Sequence, residues 1–289
     1  MVTTTPTLQV RAVSAESFED IYPLLALFNN RKMTRDDWFQ MLFGYSWWAG
    51  SDRGFALYAD GEAVGFLGTI FSERVILGQP QTVCNTSCWI VREKYRTASI
   101  MLLKPLLALR NCTIVNLTPT QRSYEIFQRL GFQELESEQL LLLPYGSIGS
   151  LAGLSQRMTP ALNAQRAPLE RAISHQLTAS PNAVQIVIEH GSESCFIIAT
   201  SLHVKRVPFA EIHYLSNPDF FWRHRLLAHR SLFAEMRAVG IAIDGRFAFG
   251  RMPKAVVRRP ALRLFRPANQ HTPATAVDGL FSELMTLKI

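Results

Sequence analysis

The sequence is poor in cysteine, the residue that builds disulfide frameworks and many zinc sites. Its 289 residues include four cysteines, none in a Cys-X-X-Cys pair, and Cys84 and Cys88 share one β-like stretch. A disulfide framework needs a higher density of cysteine, and a structural zinc site needs a second pair at ligand spacing. The cysteines therefore predict neither a disulfide scaffold nor a metal cofactor.

Long apolar runs and a secretory leader are also missing. No stretch of about 18 apolar residues is free of charges, so the sequence predicts no membrane span. The first ten residues, MVTTTPTLQV, lack a basic start followed by an apolar segment. We therefore expect a cytoplasmic protein without a membrane partner.

Acidic residues are fewer than basic ones. The chain has 23 Asp and Glu against 30 Lys and Arg, a formal charge of +7 and a pI of about 9.5. Such a surplus is compatible with nucleic acid, anionic lipid or a phosphorylated small molecule. The densest cluster, Arg251 to Pro267, is interrupted by proline and apolar residues, which indicates strands and turns. Nucleic-acid binding is thus one functional hypothesis, and it rests on charge alone.

The first half of the chain shows alternating strand and helix patterns. A weak strand at Leu8 to Val13 precedes two helical segments, the second with Thr34 as an N-cap. Asp60-Gly61 lies between two β-rich runs and predicts a hairpin. Gly131 closes a late helix as its C′ residue. The predicted order over residues 1–144 is β-α-α-β-β-β-α-β-α-β.

The second half predicts a helical connector at 145–180 and a further α/β domain at 181–289. Three strand-like runs are followed by one long helix, about Asp219 to Val239, and by a strand or hairpin around Asp244-Gly245. This repeats the order of meander strand, turn, helix and strand seen in the first half. We interpret the repeat as a hypothesis of structural duplication, since sequence identity between the halves is negligible.

One stretch, Ile90 to Arg110, has the shape of a phosphate-binding loop but lacks its glycines. It is predicted as a strand, a short loop and an apolar helix. A helix N-terminus offers unpaired N–H groups and a partial positive charge, so a pyrophosphate could bind there without any side chain. Glycine would allow the closest approach. Thr97 and Ala98 are small, Ser99 could add a hydroxyl donor, and Met101 is bulkier.

Two motifs resemble those of the GNAT-type acyl-CoA N-acyltransferases, and the likeness covers about Leu8 to Pro144. In the first, Val91, Tyr95 and Arg96 match the strand-to-helix junction of that family. Departures occur there too, since Glu93, Ser99 and Met101 stand where the family has proline and two glycines. The second motif is Leu130-Gly131-Phe132 after a helix, with Phe127 where the family often has tyrosine and Thr120 where it often has asparagine.

The resemblance implies an α+β fold, a GNAT-like mixed sheet flanked by helices, and the hypothesis of duplication adds a second GNAT-like half. It implies transfer of an acyl group from acyl-CoA, acetyl-CoA or a carrier-bound thioester to an amine, or a hydroxyl, of a small molecule or sugar. No metal takes part in that chemistry. The resemblance implies the following cofactor-binding residues: Val91, Arg96, Thr97, Ala98, Ser99, Ile100 and Met101.

The resemblance also implies roles in catalysis. A backbone N–H near Val91 would polarise the thioester carbonyl. Phe127 cannot protonate the leaving thiolate, so Tyr124, one turn earlier, is the candidate acid, and Asn116 could orient substrate or a water. Three carboxylates are candidates for the general base, by position alone: Asp60, Glu73 and Glu93. The alternative is that each is a solvated surface group.

Whether the chain is an enzyme stays open on the sequence alone. The missing tyrosine and glycines favour a non-catalytic, GNAT-derived ligand-binding or regulatory protein. All seven histidines fall after residue 170; one of them could be catalytic, but His224 and His229 are predicted on a solvated helix face. Phe220, Phe221 and neighbouring aromatics either line an acceptor cleft or pack a second core. Acceptor, acyl length and oligomeric state cannot be predicted.

Overall fold

The computed structural model describes residues 6–144, 167–178, 180, 182–251 and 256–286. The described residues form two compact units. Unit 1 takes its residues from Met1–Gln133, Leu264–Thr272 and Phe281–Lys288, and unit 2 takes its residues from Glu134–Arg263 and Pro273–Leu280. Most of the predicted connector at 145–180 lies outside the described residues.

Unit 1 contains a sheet whose strands follow the order β1-β2-β3-β4-β5. All neighbouring strands are antiparallel except β4 and β5, which are parallel. Residues 264–266 of the chain's last strand pair antiparallel with β5. The strands are β1 (Leu8–Ala12), β2 (Gly54–Ala59), β3 (Glu62–Ile76), β4 (Gln79–Val91) and β5 (Cys112–Asn116).

Three helices of unit 1 lie in segments for which the sequence predicts helices, whereas the segment after β4 departs from its prediction. Thr34 caps α2 by accepting a hydrogen bond from the Asp37 N–H at 3.2 Å, and the Asp37 carboxylate accepts one from the Thr34 N–H at 2.9 Å. Apolar residues of α1 and α2 pack on the sheet in a core that includes Phe18 and Phe66. The helices are α1 (Phe18–Leu25), α2 (Arg35–Phe43), α3 (Leu103–Leu107), α4 (Gln121–Arg129) and, near the C-terminus, α8 (Glu283–Thr286).

The segment after β4 corrects one prediction. In place of an α-helix that starts after Tyr95-Arg96, a 3₁₀ helix spans Glu93–Leu102 and only α3 is α-helical. Pro105 lies inside that short helix, where it provides no N–H for a helical bond. The regular α-helical N-terminus expected beside Ser99 is therefore replaced by a tighter 3₁₀ turn, whose hydrogen bonds connect residues three apart.

Unit 2 contains a second set of paired strands, in the order β6-β10-β9-β8-β7. β7, β8 and β9 form an antiparallel meander, β10 is parallel to β9, and β6 is antiparallel to β10. Residues 256–263 of the last strand also belong to this unit. The strands are β6 (Gln133–Leu142), β7 (Val184–His190), β8 (Glu193–Val204), β9 (Val207–Leu215), β10 (Gly240–Asp244) and β11 (Val256–Arg266).

One further prediction is wrong in unit 2. The long helix expected from Asp219 to Val239 is broken at His224, whose φ of −110° and ψ of 31° separate α6 (Pro218–Arg223) from α7 (Arg225–Met236). Of the strand or hairpin predicted around Asp244-Gly245, the strand is confirmed: β10 ends at Asp244, and a 3₁₀ helix, Gly245–Ala248, follows it. A further helix, α5 (Pro168–Gln176), is the described part of the predicted connector.

Both units use the same order of connections. An antiparallel meander of three strands is followed by helical residues and then by a strand parallel to the meander's last one: β2-β3-β4 with β5, and β7-β8-β9 with β10. Phe220 and Phe221 are fully buried in the core of unit 2, so these two aromatics pack that core. Among the described residues, every helix is too short or too polar to cross a membrane.

Candidate functional site

The two parallel strands of unit 1 separate partway along their length. β4 and β5 pair only from Thr82↔Cys112 to Asn85↔Val115, although β4 continues for six residues beyond Asn85. Where the ladder ends, the Thr86 hydroxyl donates to the Val115 carbonyl at 3.2 Å. A wedge therefore opens between the strands, and main-chain groups of β4 beyond Asn85 no longer pair with β5.

A β-bulge bends β4 beside this wedge. The β3–β4 register shifts between Phe66 and Gly68, and Cys88 adopts a left-handed φ of 54°. A bulge inserts an extra residue, bends the strand and increases its local twist. The bend turns Ser87, Cys88 and Trp89 toward the wedge, where all three line a cleft.

The wedge cleft, as we call it, is a cavity of about 500 Å³ in unit 1. Aromatic rings and polar groups line it together, the composition typical of small-molecule sites. Phe28 and Trp38 stack at 5.8 Å between ring centroids, and Trp89 meets Phe127 edge-on at 5.7 Å. Polar residues also line it, from the region before α2, from β4, from the end of β5 and the start of α4, and from the C-terminal segment: Asn30, Thr86, Ser87, Asn116, Thr118, Thr120, Ser123 and Glu283.

Glu283 is the buried carboxylate of this cleft. The residue is 2% exposed, and its Oε1 accepts a 2.7 Å hydrogen bond from the Thr118 hydroxyl. Its backbone N–H donates to Asn85 Oδ1 at 2.7 Å, which fixes the segment against β4 where the strands part. The sequence gives no sign of this residue, because it lies 165 positions from Thr118 in a short segment without a motif.

A second cavity, the arginine cleft, adjoins the first and shares Trp89, Thr120 and Ser123 with it. It measures about 280 Å³, and the rest of its lining is Ile90, Val91, Arg96, Ser99, Arg122 and Ile126. Two guanidinium groups and several hydroxyls thus surround one open cavity beside the end of β4. Guanidinium groups bind phosphate oxygens with charge-assisted hydrogen bonds, so the cleft suits an anionic group.

Some of the cofactor-binding residues expected from the sequence line the arginine cleft, and the others do not. Val91, Arg96 and Ser99 line the arginine cleft, whereas these other described residues lie outside its lining: Thr97, Ala98, Ile100 and Met101. Met101 therefore does not fill the cavity. Arg122 is a lining residue that the sequence reasoning missed, although it follows the N-cap of α4 by two positions.

The two residues expected to act in catalysis also differ in position. Asn116 is buried and lines the wedge cleft. Tyr124 is buried on α4 and, among the described residues, falls outside the lining of both clefts. Nearer the cavity, Ser123 donates its hydroxyl to the Thr120 carbonyl at 2.9 Å, and its N–H donates to Thr120 Oγ1 at 3.2 Å.

The three carboxylates considered as general bases do not line either cavity, although Glu93 lies close to Arg96, which lines the arginine cleft. Asp60 accepts a hydrogen bond from the Thr7 N–H at the first hairpin, and Glu73 accepts one from the Thr82 hydroxyl. Glu93 is exposed and lies 3.6 Å from Arg96. All three are exposed and lie outside the described lining of the clefts.

The histidines of unit 2 correct one expectation. His229 was predicted on a solvated face but is 6% exposed, and burial lowers its pKa to about 4. His213 is buried as well, with Nε2 2.8 Å from the Thr200 hydroxyl, and burial lowers its pKa too. Within the residues that the structure describes, no group of three or more His, Cys, Asp or Glu side chains could hold a metal ion.

Comparison with solved structures identifies the fold. A GCN5-related N-acetyltransferase of Anabaena variabilis superimposes over 91% of this chain and 73% of its own, with a TM-score of 0.58 and 14% identity. One from Kribbella flavida covers 91% and 71% at the same TM-score and identity. A protein of Pyrococcus horikoshii, named as a candidate acetyltransferase, covers 96% and 95% with a TM-score of 0.55 and 13% identity.

The chain therefore has a GNAT-type fold, α+β with a mixed sheet and flanking helices, as its motifs predict. No protein-family model matches the sequence, and no curated protein matches it. At 13–14% identity the likeness shows the fold alone, and the three solved structures that share this fold are named as acetyltransferases. Fold alone does not assign a substrate, because function depends on the site.

Proposed function

We propose that this chain transfers an acyl group from an acyl-CoA-type thioester to an amine, or less favourably a hydroxyl, of a small molecule or sugar. One observation carries the proposal: two adjoining cavities meet at the wedge between β4 and β5, one lined by arginines and the other by aromatic rings and a carboxylate. Two substrates can thus approach one point from two sides. Direct acyl transfer needs that geometry, since donor and acceptor must then lie together at one point.

The arginine cleft supplies the site for the donor. Acyl-CoA carries a pyrophosphate, and Arg96 and Arg122 bring two positive charges to a cavity beside Val91. Ser99 adds a hydroxyl where the resembling family has glycine. A carrier-bound phosphopantetheine, with one phosphate, would fit the same groups. Binding of an acyl-carrier protein is therefore tested alongside binding of CoA.

The reaction follows from this placement. The acceptor nitrogen attacks the thioester carbonyl at the wedge, and an N–H of β4 near Val91 stabilises the oxyanion. Phe127 provides no hydroxyl and Tyr124 lies outside the lining of both clefts, so Ser123 of α4 or its cap Thr120 supplies the proton for the leaving thiolate. Asn116 orients the acceptor from the end of β5.

Calorimetric titration with CoA, acetyl-CoA and longer acyl-CoAs tests the donor site. We expect binding by the wild type and its loss, by at least about tenfold, in Ser99→Glu, because a carboxylate in the cleft repels phosphate at short range. Ser51→Glu, at another surface position outside both clefts, is the matched control and should bind as the wild type does. Wild-type protein that binds neither CoA nor an acyl-carrier protein would overturn the proposal.

A non-catalytic ligand-binding protein is the second candidate, favoured by one observation. Phe127, fully buried in the wedge cleft, stands where the resembling family often has the tyrosine that protonates the thiolate. Thiol release from acetyl-CoA, followed with a panel of amines and alcohols, separates the two candidates. CoA binding without thiol release from any donor and acceptor pair would favour the binding protein.

A further inference from the structure

We infer that unit 2 binds the surface of an anionic membrane peripherally, through the turn between β8 and β9 and the end of α7 with the residues after it. This docking surface, as we call it, combines exposed basic and apolar side chains: Lys205, Arg206, Val207, Arg230, Phe233, Arg237 and Val239. The inference goes beyond acyl transfer and does not rest on it. We expected no membrane partner from the absence of a spanning segment, but a peripheral contact needs no such segment.

The docking surface is continuous along two neighbouring segments of the backbone. The Val239 N–H donates to the Pro208 carbonyl at 2.8 Å, so the segment after α7 lies beside the start of β9. The Arg237 N–H donates to the Phe233 carbonyl at 2.9 Å, and the Arg237 guanidinium lies 5.9 Å from the centre of the Phe233 ring. The end of α7 is therefore joined to the β8–β9 turn.

Three apolar side chains of the docking surface are open to water. Val207 is 40% exposed, Phe233 50% and Val239 44%. Apolar groups exposed beside basic ones are the composition of surfaces that bind membranes peripherally, because the apolar groups enter the boundary between headgroups and acyl chains. The same three side chains therefore gain a water-free environment when the surface meets a bilayer.

The basic side chains occupy backbone positions that local stability does not explain. Lys205, Arg206 and Arg237 have left-handed φ values of 48°, 70° and 57°. Asparagine and glycine suit the two turn positions, and glycine suits the position after a helix. Such strain at exposed basic residues points to a binding function rather than to folding.

Charge complementarity selects an anionic partner. Arg230 precedes Phe233 by three residues, so it lies beside that ring on α7 as a fourth basic group. Within the part of the chain that the structure describes, none of the four basic side chains has a carboxylate partner. Residues 201–210 and 236–243 contain no Asp or Glu, and Glu235 lies about 200° from Phe233 round α7, on the opposite side of the helix. Such a group of basic residues attracts acidic lipids such as phosphatidylserine.

The apolar side chains select lipid among the anionic partners. A nucleic acid offers phosphates to the guanidinium groups but leaves Val207 and Val239 in water. A lipid surface accepts both kinds of side chain, since its headgroups contact the basic groups and its acyl chains contact the Phe233 ring. The occupant is therefore an anionic bilayer, and nucleic acid, an acidic protein and a second copy of the chain are the alternatives that the experiments exclude.

Co-sedimentation of the full chain with lipid vesicles tests the partner. We expect at least about tenfold tighter binding to vesicles of equal parts phosphatidylcholine and phosphatidylserine than to phosphatidylcholine alone. Added NaCl should weaken the binding, because salt screens exposed charges. Equal affinity for the two kinds of vesicle, or binding to neither, would overturn the inference. Neither vesicle contains CoA or an acceptor, so this result is independent of the proposed acyl transfer.

Lys205→Asn combined with Arg206→Gly separates binding from folding. Both replacements suit the left-handed turn, so the variant should unfold at a temperature no lower than the wild type does. It should bind the phosphatidylserine vesicles about 25-fold more weakly, since each basic residue near an anionic surface contributes about fivefold. Lys104→Gln combined with Arg110→Gln removes the same charge from exposed positions of unit 1 and should bind as the wild type does. Equal weakening in both double variants would assign the binding to net charge and contradict the docking surface.

Phe233→Gln tests the apolar part of the docking surface. It should weaken vesicle binding by at least about fivefold, because a half-exposed ring can no longer leave water. Phe249→Gln changes a ring that is 48% exposed beyond the other end of β10 and should leave vesicle binding unchanged. Single-stranded DNA or polyglutamate that binds more tightly than the vesicles, and equally well to Phe233→Gln, would overturn the inference in favour of a nucleic acid or an acidic protein. A dimer in analytical ultracentrifugation that Phe233→Gln dissociates would overturn it in favour of a second copy.

Discussion

His229 shows how burial of one side chain sets a pH dependence. Its ring lies in α7, and Nε2 has no hydrogen-bond partner among the described residues. Burial, and then the charge of Arg225, lowers its pKa to about 4, whereas in the unfolded chain it takes the ordinary value of about 6.5. Between these values the unfolded chain binds the proton more tightly, so the free energy of unfolding falls as the pH decreases.

We predict that His229→Leu removes part of the acid sensitivity of the protein. From pH 7 to pH 5 the pKa difference of His229 costs the wild type about 2 kcal/mol of folding free energy. The variant should lose less over this interval, and the remainder includes His213, whose pKa is also lowered by burial. Urea unfolding of both proteins at the two pH values measures the difference. Equal losses would contradict the assigned burial of His229.

At the scale of elements, local signals in the sequence decided most of unit 1. The Asp60-Gly61 turn has φ values of 51° and 90°, the left-handed pair that such a dipeptide favours, and it joins β2 to β3 as predicted. Thr34 and Gly131 mark helix ends as predicted. These signals act within about four residues, which is why short-range reasoning identifies them.

Elements that depend on tertiary contacts could not be predicted in the same way. The stretch at 93–107 has helical composition, but most of it folds as a 3₁₀ helix that places Ser99 and Arg96 beside the end of β4. His224 interrupts a continuous helical pattern, and its ring lies 4.4 Å from that of Phe220 and 4.8 Å from that of His190. The contact with His190 joins separate elements and carries no periodic signal in the sequence.

We predict that Leu77→Asn stabilises the β3–β4 hairpin. Leu77 and Gly78 turn with φ values of 52° and 76°, a left-handed conformation that costs leucine about 1 kcal/mol and that asparagine tolerates. Leu77 is 64% exposed, so the change removes little packing. Thermal unfolding should show a higher midpoint for Leu77→Asn and no rise for Val75→Asn, the control in the extended strand beside it. No rise for Leu77→Asn would contradict the argument.

For the whole molecule, the sequence predicted the fold better than the site. Two motifs and a hairpin indicated a GNAT-type fold, and Val91, Arg96, Ser99 and Asn116 do line the two clefts. Glu283 could not be predicted as a lining residue, because it joins the wedge cleft from a segment far along the chain. A site assembled from distant segments is visible only once the strands are paired.

The largest buried charge network of unit 2 gives the last prediction. Arg263 is 4% exposed and contacts Glu211 at 2.9 Å and Asp244 at 3.0 Å. Burial opposes the charge of Glu211, but Arg263 holds the pKa of that carboxyl below its ordinary value. On the same strand, Arg258 pairs with Glu138 at 3.2 Å with 51% of its side chain exposed. The two arginines therefore allow a matched comparison of a buried and a solvated ion pair.

Arg263→Met should cost about 3–5 kcal/mol of unfolding free energy, because the buried Glu211 loses the cation that compensates it, whereas Asp244 keeps its ion pair with Arg246 at 2.8 Å. Arg258→Met should cost less than about 1 kcal/mol, since water screens the exposed pair. Urea unfolding followed by circular dichroism gives the midpoints, and hydrogen exchange of β9 and β10 shows whether the loss falls on the strands that carry Glu211 and Asp244. Similar costs for the two variants would mean that the buried network is not held together by Arg263.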